Sequence, residues 1–181
     1  GERSMIKKSD LLAAAAKVIK EKGLHNLTLE AVAQAAGVSK GGLLYHFSNK
    51  EELIKALNEQ SLHVFQELIR EDYQQTGSHV QSYVNATFRQ MSDPDDLCVD
   101  ASLLAAAANY KELLSIWESE YRLFRTKANE EKVSFETGMI VRLVCDGLLF
   151  SQMFQLDPLS EEERERLLAR LTKMVKEDAA T

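Results

Sequence analysis

Thr28 and Ser39 each stand directly before a short run of apolar and small residues. A hydroxyl in that place caps a helix by accepting a hydrogen bond from a first-turn N–H. The other free N–H groups of that turn attract an anion, so each position suits a phosphate oxygen. Lys7 and Lys8 precede the first apolar stripe as two adjacent cations, which suit a polyanion. Residues for bond-breaking chemistry are not arranged in any familiar order. There is no Ser–His–Asp order, HExxH helix, Walker loop or glycine-rich dinucleotide fingerprint, so no enzyme is expected. His25, His46, His63 and His79 are scattered, and Cys98 and Cys145 lack CxxC spacing. Neither a metal site nor a cofactor is expected, and the cysteine usage suits a reducing cytoplasm.

Charge divides along the 181 residues. The first fifty hold eight lysines and arginines against four acids, a net +4, while the remainder carries −10 within an overall −6. A basic head on an acidic body implies that the head meets a polyanion and the body does not. The competing reading is a few solvated lysines gathered at one end. Gly1-Glu2-Arg3-Ser4, before Met5, reads as a cloning remnant. The most apolar stretch, 138–154, carries Arg142 and Asp146, so no membrane span is expected.

The elements that must position these residues are helices. Apolar spacing and caps predict about nine, over 8–22, 29–36, 40–46, 50–73, 78–91, 94–108, 111–132, 134–155 and 160–178, and no convincing strand. The fold class is therefore all-α. Ser160 with Glu163 and Ser78 with Gln81 have capping-box spacing. Ala33, Gly37 and Val38 fit a helix-turn-helix. Ala33 is small where two helices cross, Gly37 supplies a left-handed turn, and Val38 tucks beneath the second helix. Such a pair places the start of its second helix in a major groove.

The flanks extend the pattern: Leu11-Leu12-x-Ala14-Ala15, Glu21-Lys22-Gly23-Leu24, Leu27-Thr28-Leu29, Val32-Ala33-x-x-Ala36-Gly37-Val38-Ser39-Lys40-Gly41, Tyr45-His46-Phe47 and Lys50-Glu51-Glu52-Leu53. From Leu11 to Leu53 the chain resembles the tetracycline-repressor (TetR) family of bacterial transcription regulators. The resemblance implies a helix-turn-helix DNA-binding domain over 5–49 and a helical ligand-binding and dimerisation domain over 50–181. It implies a recognition helix from Ser39 to His46, with Lys40, Tyr45, His46 and Lys50 at positions that touch phosphates or bases. Its partners would be a double-stranded operator, a second copy joined through the last two helices, and a small-molecule effector. The sequence departs from the family at Gly42, where Thr, Ser or Asn is frequent, and at Leu44, where Tyr is frequent. Gly41 and Gly42 either let the backbone approach DNA closely or leave a short helix partly ordered until bound. Phe47 is expected to close the head's core.

In the body, Phe88, Met91, Trp117, Tyr121, Phe124, Met139, Leu143 and Asp146 are the candidate effector-binding residues. An apolar pocket with a few polar groups suits a small hydrophobic ligand; the competing reading is that the aromatics and methionines fill the core. Trp117 and Tyr121 share a helix face. Asp146 either pairs with Arg142, four residues away, or faces the cavity to meet a cation or a donor. The predicted eighth helix is apolar on nearly every side and needs cover on two faces, the second from a twofold-related copy. Gly138 and Gly147 would permit close approach there. Two functional readings remain at this point: a repressor released from its operator by a ligand, and a helical binding protein whose helix-turn-helix is only structural.

Overall fold

The computed structural model describes residues 6–107 and 109–180. Nine α-helices follow one another among them: α1 (Lys8–Lys22), α2 (Leu29–Ala36), α3 (Lys40–Leu44), α4 (Lys50–Thr76), α5 (His79–Gln90), α6 (Pro94–Ala106), α7 (Ser115–Glu130), α8 (Phe135–Met153) and α9 (Glu161–Ala179). Short 3-10 turns at Leu24–Asn26 and Lys111–Leu114 separate some of them, and the described residues form no strand. Residues 1–4, read as a cloning remnant, and Ala108, expected to end the sixth helix, lie outside the described residues.

The helices group into two compact units. The head runs up to Ser61 and also takes in Cys98–Leu113. Its core is the apolar stripe of α1 (Leu11, Ala15, Val18, Ile19) against Leu27, Val32, Ala33, Leu43 and Phe47. Leu53, Ile54 and Leu57 of α4 and Val99 and Leu103 of α6 complete it. That is why the compact unit does not end at residue 49, where the sequence pattern divides the chain. The first turns of α4 carry side chains that the head must bury. Asn58, also buried, donates from Nδ2 to the Leu113 carbonyl at 2.7 Å, so its polar group is satisfied inside the core.

The body holds the rest of α4 with α5 and α7–α9 around Phe65, Ile69, Val80, Tyr83, Val84, Phe124, Val141, Cys145, Leu171 and Val175. Its helix ends are tied by residues far away in sequence. Glu131, just past α7, accepts hydrogen bonds from the Ser78 hydroxyl (2.7 Å) and from the His79 (2.5 Å) and Val80 (3.3 Å) N–H groups at the start of α5. Asp178 of α9 accepts from the Ser134 N–H (2.5 Å) and from the Ser134 (2.9 Å) and Thr137 (3.0 Å) hydroxyls at the start of α8. Ser160 and Glu163 make their expected reciprocal box on α9.

Three expectations are corrected. The third helix ends at Leu44 rather than His46. Two successive glycines propagate a helix poorly, and the Phe47 side chain must turn into the core. Lys111–Leu114 is a 3-10 turn, and α7 begins only at Ser115. Gly138 faces its own domain: a Cβ there would meet Ala128 of α7 at 3.6 Å. Gly147 has nothing within 4 Å and lies open.

Candidate functional site

In the head, the turn between α2 and α3 is built as its sequence requires. Gly37 sits at φ 69°, ψ 30°, the left-handed conformation that a side chain disfavours. The Val38 N–H then returns to the Ala33 carbonyl at 3.0 Å. Thr28 caps α2, accepting from the Ala31 N–H at 3.0 Å. Ser39 caps α3, accepting from the Gly42 N–H at 3.1 Å. Each hydroxyl keeps its own proton for an external acceptor. Ser39, Lys40, Gly41, Leu44 and Tyr45 are exposed, and Tyr45 is 83% so, its ring meeting the half-buried His46 edge-on.

Two cations of the candidate set already have internal roles. The Lys40 ammonium pairs with Glu30 of α2. The Lys50 ammonium donates to the Leu24 carbonyl at 3.3 Å, tying the start of α4 to the turn after α1. An unfavourable cation at a helix start is thereby explained by a structural contact. Lys7 is exposed, and its backbone N–H is capped by Asp10 at 3.1 Å. Lys8, beside it, lies 5.4 Å from the centre of the Phe47 ring.

In the body, Trp117, Tyr121, Phe124 and Asp146 come together around two residues that sequence reading missed, Phe65 and Tyr83. Phe65 meets Tyr83 edge-on at 5.2 Å and Trp117 at 6.4 Å, and Tyr83 meets Phe124 at 4.7 Å. The Tyr83 hydroxyl donates to Asp146 Oδ1 at 3.2 Å, and Tyr121 also donates to this carboxylate. Arg142 lies 3.8 Å from Asp146 Oδ2 and stacks 4.6 Å above the Tyr121 ring. Asp146 therefore does both things left open by the sequence: it pairs with Arg142 and faces the aromatic cluster.

Burial raises the Asp146 carboxyl above its usual range, against the two tyrosine hydrogen bonds and Arg142. Burial and the nearby carboxylate push the Tyr121 phenol up to about 12 and hold the Tyr83 phenol well above its usual range. These phenols therefore act as neutral donors. Glu120, one helix turn before Phe124, is buried and accepts from Gln66 Nε2 at 2.8 Å. Tyr83 was legible only as one more apolar residue in the stripe Val80–Tyr83–Val84. Its hydroxyl partner lies 63 residues away.

Phe88 is half-buried against the body core, and Met91 is buried. Met139 joins Phe124, Arg125 and Phe135 around an open hollow of about 200 Å³. A second hollow, about 440 Å³, lies between α5 and α9, lined by Gln81, Asn85, Leu168, Thr172 and Val175 among others. Leu143 does not join the cluster. It is 56% exposed, because it stands one residue, about 100° of helix turn, from Arg142 and falls on the outer face with Ile140 and Phe150.

One unit with a capped helix-turn-helix and a second, helical unit with an aromatic interior are the parts of a helix-turn-helix regulator. Residues 11–57 match the family described as bacterial regulatory proteins, tetR family, and residues 77–176 match the tetracyclin repressor-like C-terminal domain. The chain belongs to the TetR family.

Among its relatives is the HTH-type transcriptional regulator RutR of Escherichia coli K12, 42% identical over 59 residues. That match covers 33% of this chain and only 28% of RutR. An uncharacterized HTH-type regulator of Bacillus subtilis, YfiR, is 26% identical over 159 residues, covering 85% of this chain and 71% of YfiR. The crystal structure of the multidrug binding protein EbrR complexed with ethidium superposes with a TM-score of 0.68 at 22% identity, covering 90% of this chain and 96% of EbrR. At that identity the likeness establishes the fold alone. No helix among the described residues is long and apolar enough to cross a membrane.

Proposed function

We propose that the protein is a DNA-binding transcriptional regulator of the cytoplasm, a repressor released from a palindromic operator by a small, largely hydrophobic effector. In this reading residues 5–49 read the DNA and residues 50–181 hold the effector and the second copy. One observation carries it: Tyr45, a large aromatic, is 83% exposed on the same short segment as the exposed Ser39, Lys40 and Gly41. An aromatic that adds nothing to its own core is accounted for by an external surface, and a capped helix start beside it suits a phosphate. Thr28, Lys7 and His46 extend that surface, and Lys50 supports it from within.

The effector would be held by residues drawn from Phe88, Met91, Trp117, Tyr121, Phe124 and Met139, with Asp146, at the aromatic cluster of Trp117, Tyr121 and Phe124, as its polar anchor. That EbrR, which shares the fold, was solved with ethidium, a flat aromatic cation, supports an aromatic ligand beside an acidic anchor. α4 supplies Leu53 and Ile54 to the head core and Phe65 and Ile69 to the body core. A ligand that favours one setting of α4 therefore changes DNA affinity, and bound DNA weakens the ligand by the same factor.

The test is fluorescence anisotropy on duplexes that the wild-type protein selects from a randomised pool. Lys40→Ala with Tyr45→Ala should lower affinity at least tenfold, while helical content and effector binding persist. Unchanged affinity would leave the helix-turn-helix a purely structural element.

A further inference from the structure

Lys40 opens α3, yet its ammonium is already engaged. It donates to Oε1 of Glu30, the second residue of α2, in a direct ion pair. The partners are ten residues apart and meet because the Gly37 turn folds the starts of α2 and α3 together. Their side chains are 56% and 62% exposed, so packing does not impose the contact. The hydrogen bond from Lys40 holds the Glu30 carboxyl below its usual range.

An anionic oxygen accepting a charge-assisted hydrogen bond from a lysine is the chemistry a DNA phosphate would offer at the same place. The surroundings agree, since the capping hydroxyl of Thr28 and the free N–H groups at the start of α2 also favour an anion. We propose that Glu30 is an intramolecular competitor for Lys40, a carboxylate seated where a backbone phosphate would sit, and that docking exchanges one for the other. Glu30 thus sets the head's affinity for duplex DNA and the steepness of its salt dependence. This rests on the DNA-binding reading. The local alternative is that Glu30 merely stabilises the first turn of α2 through the helix dipole.

Glu30→Gln keeps the shape and removes the charge. The experiment titrates wild type, Glu30→Gln, Lys40→Gln and the double variant against a random-sequence duplex and a wild-type-selected duplex. Melting curves confirm that each variant is folded. At about 50 mM salt, Glu30→Gln should bind both duplexes roughly 3- to 10-fold more tightly, since its Lys40 meets the phosphate without giving up an ion pair, and one acid fewer at the interface raises the net phosphate charge neutralised by one and steepens the slope of log affinity on log salt by about 0.9. That slope makes the advantage shrink about 3.5-fold on going to about 200 mM salt. In the Lys40→Gln background the gain should disappear.

Equal or weaker binding by Glu30→Gln with the wild-type slope overturns the proposal and leaves the DNA-binding reading intact. A gain that persists undiminished without Lys40 also overturns it. A wild-type protein that binds neither duplex at low salt removes the parent reading, and the proposal with it.

Discussion

Gly41 is a glycine for which the head itself has no use. A Cβ placed there would find only Ser39 Oγ, at 4.0 Å, and the backbone is not in the left-handed region. At Gly42 the nearest atom is again Ser39 Oγ, at 3.4 Å, an ordinary contact. Alanine at 41 should therefore stabilise the head by about 0.5–1 kcal/mol, the usual helix-interior difference. If the glycine exists for close approach of the backbone to DNA, Gly41→Ala raises the melting temperature and weakens DNA binding together. Paired melting and anisotropy measurements decide this; higher stability with unchanged affinity would favour the reading in which the glycines only keep a short helix loose. Tyr83 is the corresponding residue of the body. Tyr83→Phe deletes a buried donor and leaves Asp146 with one tyrosine fewer, so a loss of about 1–2 kcal/mol is expected in denaturant unfolding.

Helix starts separate what is legible in a sequence from what is not. Thr28, Ser39 and Ser160 cap their helices through contacts three residues away, and local spacing alone finds them. Glu131, just past α7, and Asp178 of α9 cap α5 and α8 from 52 and 44 residues away, and no local pattern marks them. The same distance hid Tyr83 from Asp146, although Asp146, Trp117 and Tyr121 were each legible singly. It also hid the outward turn of Leu143, because a helix apolar all round does not say which face its own domain covers.

Asp178 and His79 predict two separate acid transitions. Asp178 is held below its usual range by the Ser134 backbone N–H, so it supports the body above about pH 3.8 and loses that support as pH falls toward its folded value. His79, at the start of α5, has a buried Nε2 without a partner, and burial lowers its pKa below 6.5. Its folded form resists protonation, so stability is full above pH 6.5 and declines as pH falls through the lowered value. Melting temperatures of wild type and His79→Gln should converge or cross between pH 7 and 5. Those of wild type and Asp178→Asn should differ at pH 7 and converge below pH 3.8. A His79→Gln profile parallel to wild type over the upper window would show that His79 does not titrate with folding.

At the scale of the whole molecule, α8 presents an apolar face to the outside. Ile140, Leu143, Gly147, Phe150 and Phe154 recur at intervals of three and four residues, the period of one helix face. Ile140 is 46% exposed, Leu143 56% and Phe150 49%, and Gly147 adds a place where another backbone can come near. A continuous apolar stripe of this kind on a helix of 19 residues is a partner surface more readily than a solvated one. On the proposed reading a twofold copy would cover it, since the same stripe would then meet itself, with α9 alongside. On the same reading an operator with two half-sites would need two heads, which would link this stripe to DNA affinity.

Leu143→Glu places a charge in the middle of the stripe and disturbs nothing in the body core, which Leu143 does not enter. Burying that carboxylate unpaired against a second copy would cost several kcal/mol, enough to split a typical interface of about 800 Å² per partner at micromolar concentration. Sedimentation should therefore find wild type dimeric and Leu143→Glu monomeric, with equal helical content by circular dichroism. On a selected duplex with two half-sites the variant should lose most of its affinity, while a single half-site is bound about equally weakly by both. A Leu143→Glu protein that still sediments as a dimer would move the interface off this face of α8, and the outward turn of Leu143 would then need another explanation.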